Sequence, residues 1–146
     1  MIKELDETYY EELYSLEQEI FSYHQKMCPD DFKEIPFSKD IYYNLIQHNH
    51  YFIYGYFLEK KLVGAIYVNR RENIYYIDDI VVSASYQNKG IGTLLIKYIE
   101  QKAFKDDINR IELDVWSFNK KAIQFYEKNG FTPKTIRYEK IIKKEG

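Results

Sequence analysis

The segment spanning residues 73–105 passes from a strand pattern to a helix pattern across a loop that contains two glycines. "NIYYIDDIVV" (73–82) is rich in β-branched and aromatic residues, which is typical of a buried strand. From Gly90 to Phe104, apolar residues recur at the spacing of an amphipathic helix. A second strand pattern follows at 108–116. A strand, a crossover helix and another strand imply a parallel pair, so the sheet must be mixed.

The rest of the chain supplies the other elements of an α/β domain. Helical spacing, period-two alternation and turn residues mark their positions. The expected elements are a short strand at 2–5, a helix at 7–26, a loop at 27–37, a helix at 38–49 that begins at Ser38, a hairpin at 51–68 with its turn at 59–61, a helix at 119–129 ended by Gly130, and a strand near the C-terminus.

Composition narrows the class of protein. The 146 residues fit one domain, 1–146, and the net charge of −2 argues against a nucleic-acid partner. Cys28 is the single cysteine, which excludes an intrachain disulfide and a C-x-x-C site. The N-terminus has no secretory pattern, and no apolar run approaches the ~20 residues of a membrane span. We therefore expect a cytoplasmic protein with no membrane partner and no metal.

The two glycines of the loop allow two interpretations. Gly90 and Gly92 precede a helix whose first amides are unpaired, and Lys89 adds a positive charge beside them. The start of such a helix favours binding of a phosphate group, because glycine lets backbone amides approach a ligand closely. The same residues also suit an ordinary tight turn. The spacing matches neither the dinucleotide fingerprint nor the P-loop, so the loop alone leaves both interpretations open.

Further motifs produce a resemblance to a known family. "YQNKGIG" (86–92) resembles the Q/R-x-x-G-x-G/A loop of the GNAT N-acetyltransferase superfamily, and "YIDDIVV" (76–82) resembles the strand that precedes it. "DVWSFNKKAIQFYEKNGF" (114–131) is similar to the family's fifth strand and following helix, and 24–34 is similar to the linker between the first two helices of many small members. The resemblance implies a single-domain GNAT-like α/β fold, with a twisted, mixed and mostly antiparallel sheet and helices on both faces.

The resemblance also implies a binding site for acetyl-CoA as cosubstrate. Loop amides would hold the pyrophosphate, and a strand edge and the later helix would hold the pantetheine arm. The implied cofactor-binding residues are Ile80, Val81, Val82, Gln87, Asn88, Lys89, Gly90, Ile91, Gly92, Thr93, Asn119, Ala122, Phe125 and Tyr126. Gln87 stands where arginine is commoner in the family, and Asn88 replaces a frequent glycine. Asn119 is equally suited to cap its helix.

Three residues match positions that act in catalysis. The Val82 amide would polarise the thioester carbonyl, and Tyr126 would protonate the departing thiolate, although Tyr126 also suits core packing. Asp78 matches a glutamate that deprotonates the amine in some members, and its shorter side chain favours a water relay. An exposed or hydrogen-bonded strand carboxylate is the alternative. Asp78 and Asp79 are neighbours on a strand, so we expect their side chains on opposite faces.

Together these features predict an enzyme that moves an acetyl group from acetyl-CoA to a primary amine of a small molecule or peptide, by direct attack in a ternary complex. One alternative is a catalytically inactive GNAT-like module that binds or senses acyl-CoA. Another is a nucleotide-phosphate binder of a different fold. Exposed strand edges near the C-terminus would allow a homodimer.

Overall fold

The structure, a computed structural model, describes the backbone of residues 1–27 and 38–143. It describes the side chains of all of these except residues 19, 20, 23–25 and 27. The expected loop at 27–37 and the linker at 24–34 therefore lie mostly outside the described residues. The chain forms two compact units, Met1–Asp114 and Val115–Gly146.

Among its described residues, the first unit contains five strands and three α-helices. Short 3-10 turns at Glu7–Tyr9 and Ala84–Tyr86 precede α1 and α3. In chain order the elements are β1 (Ile2–Glu4), α1 (Tyr10–Met27), α2 (Lys39–Ile46), β2 (Tyr51–Leu58), β3 (Lys61–Arg71), β4 (Ile74–Val82), α3 (Ile91–Lys105) and β5 (Arg110–Leu113).

The strands form one sheet in the order β1-β2-β3-β4-β5. The first four strands pair antiparallel, and β5 pairs parallel to β4 through Ile74–Ile77 and Arg110–Leu113. The crossover from β4 through α3 to β5 is the strand–helix–strand unit that the sequence predicts. The mixed, mostly antiparallel sheet is confirmed.

Helices cover both faces of this sheet. Ala65 and Tyr67 of β3 belong to a core cluster that includes Leu13 and Leu16 of α1 and Tyr42 of α2. On the other side, a Cβ placed at Gly64 would touch Ile91 and Leu95 of α3. Because successive residues of a strand point to opposite faces, α1 and α2 lie on one side and α3 on the other.

α2 begins after Ser38, as the sequence predicts, whereas α1 begins at Tyr10, three residues after the predicted start. Ser38 caps α2, since its hydroxyl accepts a hydrogen bond from the Asp40 amide (Oγ–N 3.2 Å). Leu13 and Leu16 recur at helical spacing on α1, and both are buried. The Tyr42 hydroxyl donates to the Asp6 carbonyl and so joins α2 to the segment before α1.

A β-bulge interrupts the pairing of β3 with β4. Tyr67 pairs with Asp79, but the next residue, Val68, pairs with Ile77, so Asp78 is the extra residue. An inserted residue breaks the alternation of side chains at that point. The bulge therefore changes which face the two aspartates occupy.

The second unit contains α4 (Lys120–Lys128), which begins after Asn119 and is followed by Gly130 at φ +92°. A left-handed glycine after the last turn is a common way to end a helix. The expected final strand is wrong, because residues 131–143 contain no strand. A strand needs a neighbour to accept its hydrogen bonds, and Ile136 and Tyr138 of this tail are exposed.

Candidate active site

The edge of β4 opens beyond the point where β5 ends. Among the described residues, β5 pairs with β4 only as far as Ile77, which leaves 78–82 without a paired strand on that side. Ser83 donates to the Val63 carbonyl (N–O 2.8 Å), so the alternating ladder directs the amide and carbonyl of Val82 away from β3. Val82 therefore offers an amide donor at an open strand edge.

Val81 and Val82 contribute to this edge differently. The side chain of Val81 is buried in the core cluster, whereas Val82 is half-buried. The Val82 carbonyl accepts a hydrogen bond from the Gln87 side chain (Nε2–O 3.1 Å). Gln87 thus ties the loop to the end of β4, a role that its position in the loop motif did not reveal.

The glycine loop presents the N-terminus of α3 without a side-chain cap among the described residues. Gly90 is the N-cap at φ +81°, a left-handed conformation that glycine adopts without strain. The first helical hydrogen bond runs from Leu94 to the Gly90 carbonyl (N–O 3.0 Å), so the amides of Ile91, Gly92 and Thr93 precede it. These amides and the helix dipole make a site suited to an anion.

Two lysines lie on one aromatic ring beside this loop. The ammonium of Lys89 lies 5.4 Å from the ring centroid of Tyr86, and that of Lys61 lies 5.7 Å from the same centroid. Lys61 comes from the start of β3, and sequence reasoning missed it. The hairpin turn and the antiparallel pairing of β3 with β4 bring it to the loop, so the site has a second positive charge.

The two aspartates of β4 lie on the same side of the sheet, which corrects the expectation of opposite faces. Asp78 interacts with the Tyr51 hydroxyl, and Asp79 lies beside Tyr67 and Glu17. Tyr51 and Tyr67 both belong to the core cluster on the α1 face. The bulge at Asp78 is the cause, since it inserts one residue into the alternation.

Burial is the largest cause of the pKa shifts of these carboxyl groups. It raises the pKa of Asp78, although the Tyr51 hydroxyl and Arg71 partly offset this effect. Burial also raises the pKa of Asp79 well above its usual value, and the neighbouring Glu17 raises it further. The pKa of Glu17 is likewise raised by burial. All three carboxyl groups therefore hold protons to a higher pH than exposed ones do.

Glu17, Tyr51 and Tyr67 complete this cluster, and sequence reasoning missed all three. Glu17 follows the buried Leu13 by four residues, which puts a charged side chain on the apolar face of α1. That placement is the signal that could have revealed it. The two tyrosines carry no such signal, because only the register of β2 and β3 brings them to the carboxyl groups.

The other predicted site residues belong to the second unit. The Asn119 side chain accepts a hydrogen bond from the Ala122 amide (Oδ1–N 3.1 Å), which confirms its capping role. Tyr126 is half-buried, and its ring contacts those of Phe125 (centroids 5.3 Å) and Phe131 (5.7 Å). Within this unit α4 holds Ala122, Phe125 and Tyr126 on one short helix.

The described residues carry few other features that suggest a site. His48 and His50 follow α2, and their rings lie 5.2 Å apart. Within 1–27 and 38–143 no cluster of three or more His, Cys, Asp or Glu side chains could hold a metal ion. Of the helices described, none has the length and apolar character needed to cross a bilayer.

This chain is similar in sequence and in fold to known acetyltransferases. The profile of the acetyltransferase (GNAT) family matches residues 10–131. Streptothricin acetyltransferase from Escherichia coli is 35% identical over 80 residues, or 54% of this chain and 46% of that protein. L-ornithine N5-acetyltransferase NATA1 from Arabidopsis thaliana is 39% identical over 56 residues, or 38% of this chain and 25% of that protein. The matches thus span less than half of either relative.

A solved structure matches over almost the whole chain. PaiA N-acetyltransferase from Thermoplasma acidophilum, in complex with coenzyme A, superposes with a TM-score of 0.83 at 21% identity. The alignment covers 94% of this chain and 92% of that one. The profile match spans most of the sequence, and the superposition shows the same fold. The chain therefore belongs to the GNAT family of acetyltransferases.

Proposed function

We propose that this protein transfers an acetyl group from acetyl-CoA to a primary amine of a small molecule or peptide, with residues 1–146 acting as one catalytic domain. The observation that carries the proposal is the uncapped start of α3 beside the open edge of β4. A phosphate group and an extended amide chain are the two kinds of ligand that such elements bind, and acetyl-CoA contains both.

The loop residues fit the phosphates of acetyl-CoA. The amides of residues 87–93 surround the start of α3, with Lys89 and Lys61 adding positive charge on the ring of Tyr86. Backbone amides and lysines are both common ligands of phosphate. In the proposed complex the pyrophosphate binds these amides.

The open edge of β4 fits the pantetheine arm. The arm would add to the sheet as an extra strand along Ile80, Val81 and Val82, where β5 no longer pairs with β4. Asn119, Ala122 and Phe125 match the family's pattern for contacts with the arm or its thiol end. The Val82 amide would then donate to the thioester carbonyl and stabilise the oxyanion that forms when the amine attacks.

The proposed reaction forms one carbon–nitrogen bond and breaks one carbon–sulfur bond. The neutral amine attacks the thioester carbonyl directly, and a proton leaves the nitrogen through water to Asp78. Tyr126 gives a proton to the departing thiolate, and the products are an amide and the thiol of CoA. The raised pKa of Asp78 supports its role as base, because it brings the group closer to neutral pH.

The names of two relatives suggest small amine acceptors. One relative is named for L-ornithine and another for streptothricin. The carboxyl groups near β4 would favour a positively charged acceptor here too, since opposite charges attract most strongly where water is partly excluded. The acceptor of this protein is therefore proposed to be a cationic amine.

An amine panel tests the proposal. Purified protein is mixed with acetyl-CoA and each amine, and released CoA thiol is measured with a thiol-reactive dye. We expect at least one cationic amine to release thiol above the hydrolysis background. A protein that binds acetyl-CoA tightly but releases no thiol with any amine would instead be the inactive acyl-CoA-binding module. Displacement of acetyl-CoA by an equal concentration of ATP would show that the loop prefers a nucleotide phosphate, which would contradict the proposed cosubstrate.

A further inference from the structure

The C-terminal tail, residues 131–143, exposes an unusual amount of apolar surface. Its large apolar side chains are each between 70% and 87% exposed, and they are Ile136, Tyr138, Ile141 and Ile142. The tail forms neither a helix nor a strand, although its sequence has a strand-like pattern. An exposed apolar segment of this kind is typical of a surface that binds another protein chain.

The outer edge of β5 is a surface to which such a segment could bind. Among the described residues β5 is the last strand of the sheet, so its edge away from β4 has no paired strand. An unpaired edge offers a row of amides and carbonyls to any extended segment that can add to it. The same chain therefore carries a strand-like tail and a strand edge that could pair with it.

One antiparallel register matches the tail to the whole length of β5. The opposed residues in this register are Leu113 and Ile136, Glu112 and Arg137, Ile111 and Tyr138, and Arg110 and Glu139. Apolar residues then face apolar residues, and each charge faces its opposite, which stabilises neighbouring strands. A shift of one residue sets charged residues against apolar ones. A shift of two residues sets Arg110 against Arg137 in one direction and two glutamates against each other in the other direction.

We propose that the C-terminal tail of each copy adds as an antiparallel strand to the β5 edge of a second copy, so that two chains form a homodimer by exchanging their tails. This inference is independent of the proposed acetyl transfer. The tail follows β5 through a single helix, α4, and a strand reached through one helix normally enters the sheet parallel to the strand before it. The matching register is antiparallel, so it suits a tail from another chain. The exchange occupies both edges with both tails, which closes the dimer.

The residues between α4 and the tail favour an extended chain that can reach a second copy. Gly130 has φ +92° and ends the helix. Pro133 cannot continue a helix, and it restricts Thr132 before it to an extended backbone. An extended chain rises by about 3.3 Å per residue, so residues 131–143 can span roughly 40 Å. This length is sufficient to pass from one chain to the sheet edge of another.

Charge reversal tests the register in solution. We expect sedimentation equilibrium of the wild type to give the mass of a dimer. Arg137→Glu sets a carboxylate opposite Glu112 in both copies and should raise the dimer Kd about tenfold or more, and Glu112→Arg in the same chain should reverse most of that rise. Lys143→Glu is the control, because it makes the same change at an exposed tail residue outside the four pairs. A monomeric wild type, or an equal rise in Lys143→Glu, would overturn the proposal.

Disulfide trapping distinguishes exchange between chains from pairing within one chain. Leu113→Cys and Ile136→Cys are combined with Cys28→Ser, so that the two introduced thiols are the only ones. Opposed residues of an antiparallel pair have Cα atoms about 4.5–5.5 Å apart, a separation that a disulfide can bridge. We expect a covalent dimer on a non-reducing gel, and much less of it when Ile142→Cys replaces Ile136→Cys. A disulfide within one chain, or equal trapping at the two tail positions, would contradict the exchange.

Discussion

The side chain of Gln87 donates a hydrogen bond to the carbonyl oxygen of Val82, with 3.1 Å between Nε2 and O. The bond links the glycine loop, proposed to hold the phosphates, to the residue whose amide is proposed to polarise the thioester. Gln87 is exposed. This hydrogen bond ties the two ends of the proposed site to each other.

The Gln87–Val82 hydrogen bond should affect binding of acetyl-CoA more than folding. Gln87→Ala removes the donor, and a typical net hydrogen bond corresponds to about twofold to tenfold in affinity. We expect the Kd for acetyl-CoA, measured by calorimetry, to rise within this range while the melting temperature stays close to that of the wild type. Gln101→Ala, at an exposed site on α3, is the control. An unchanged Kd would show that the hydrogen bond does not organise the loop.

A negative charge in the loop should abolish most binding of acetyl-CoA. Gly92 lies in the first turn of α3, where its amide precedes the first helical hydrogen bond. Gly92→Glu places a carboxylate where phosphates are proposed to bind, and we expect the Kd to rise by about a hundredfold or more.

Gln101→Glu adds the same charge on the exposed face of α3 and should leave the Kd unchanged. Circular dichroism checks that both variants fold. If folded Gly92→Glu bound acetyl-CoA as the wild type does, the phosphate site would lie elsewhere.

Removal of the Tyr126 hydroxyl should slow the chemical step. Tyr126→Phe keeps the ring contacts with Phe125 and Phe131, and thermal unfolding of the variant checks that it folds. We expect kcat to fall about a hundredfold to ten-thousandfold at saturating acetyl-CoA, because the thiolate loses its proton donor. Tyr138→Phe is the control, because it removes the hydroxyl of an exposed tyrosine in the same unit and should leave kcat unchanged. Unchanged turnover in Tyr126→Phe would remove Tyr126 from the mechanism.

Asn119 has a capping role that can be separated from its proposed contact with acetyl-CoA. Asn119→Ala removes the hydrogen bond to the Ala122 amide and should lower the free energy of unfolding by about 1 kcal/mol, measured by urea denaturation. Asn119→Ser keeps a cap and should restore most of that stability.

The side-chain amide is absent from both variants. If it contacts the pantetheine arm, the Kd for acetyl-CoA should rise in both, including the stable serine variant. Wild-type affinity in Asn119→Ser would leave the residue with its capping role alone.

The raised pKa of Asp79 predicts how stability depends on pH. The folded protein holds the Asp79 proton above the ordinary value of 3.8, so its stabilising contribution is fully present below that pH and is lost as the pH rises through the folded pKa. Asp79→Asn does not ionise and escapes this loss. Relative to the wild type, the variant should therefore gain stability as the pH rises, by at most about 1.4 kcal/mol per pH unit.

Urea denaturation of both proteins across a series of buffers from about pH 4 to about pH 8 measures this difference. Asp107→Asn is the control, because Asp107 is exposed and lies outside the cluster. A difference between Asp79→Asn and the wild type that stays constant with pH would mean that Asp79 ionises as an exposed group does.

The local pattern of the sequence was enough to locate most elements. Period-two runs, helical spacing and caps such as Ser38 and Asn119 act over a few neighbouring residues, so they can be read without a fold. The glycine loop was ambiguous by itself, and the second motif at 114–131 was needed to relate it to acetyl-CoA. The prediction of a final strand was wrong, because residues with a strand-like pattern form a strand only beside a partner strand.

The tertiary structure alone determined the arrangement of the carboxyl groups. Sequence alternation placed Asp78 and Asp79 on opposite faces, but the bulge in the pairing of β3 with β4 turned both toward α1. The meeting of Glu17, Tyr67 and Asp79, and of Lys61 with the glycine loop, likewise depends on contacts between residues far apart in the chain. Local propensity specifies where elements begin and end, whereas register and packing decide which side chains share one environment and which pKa values change.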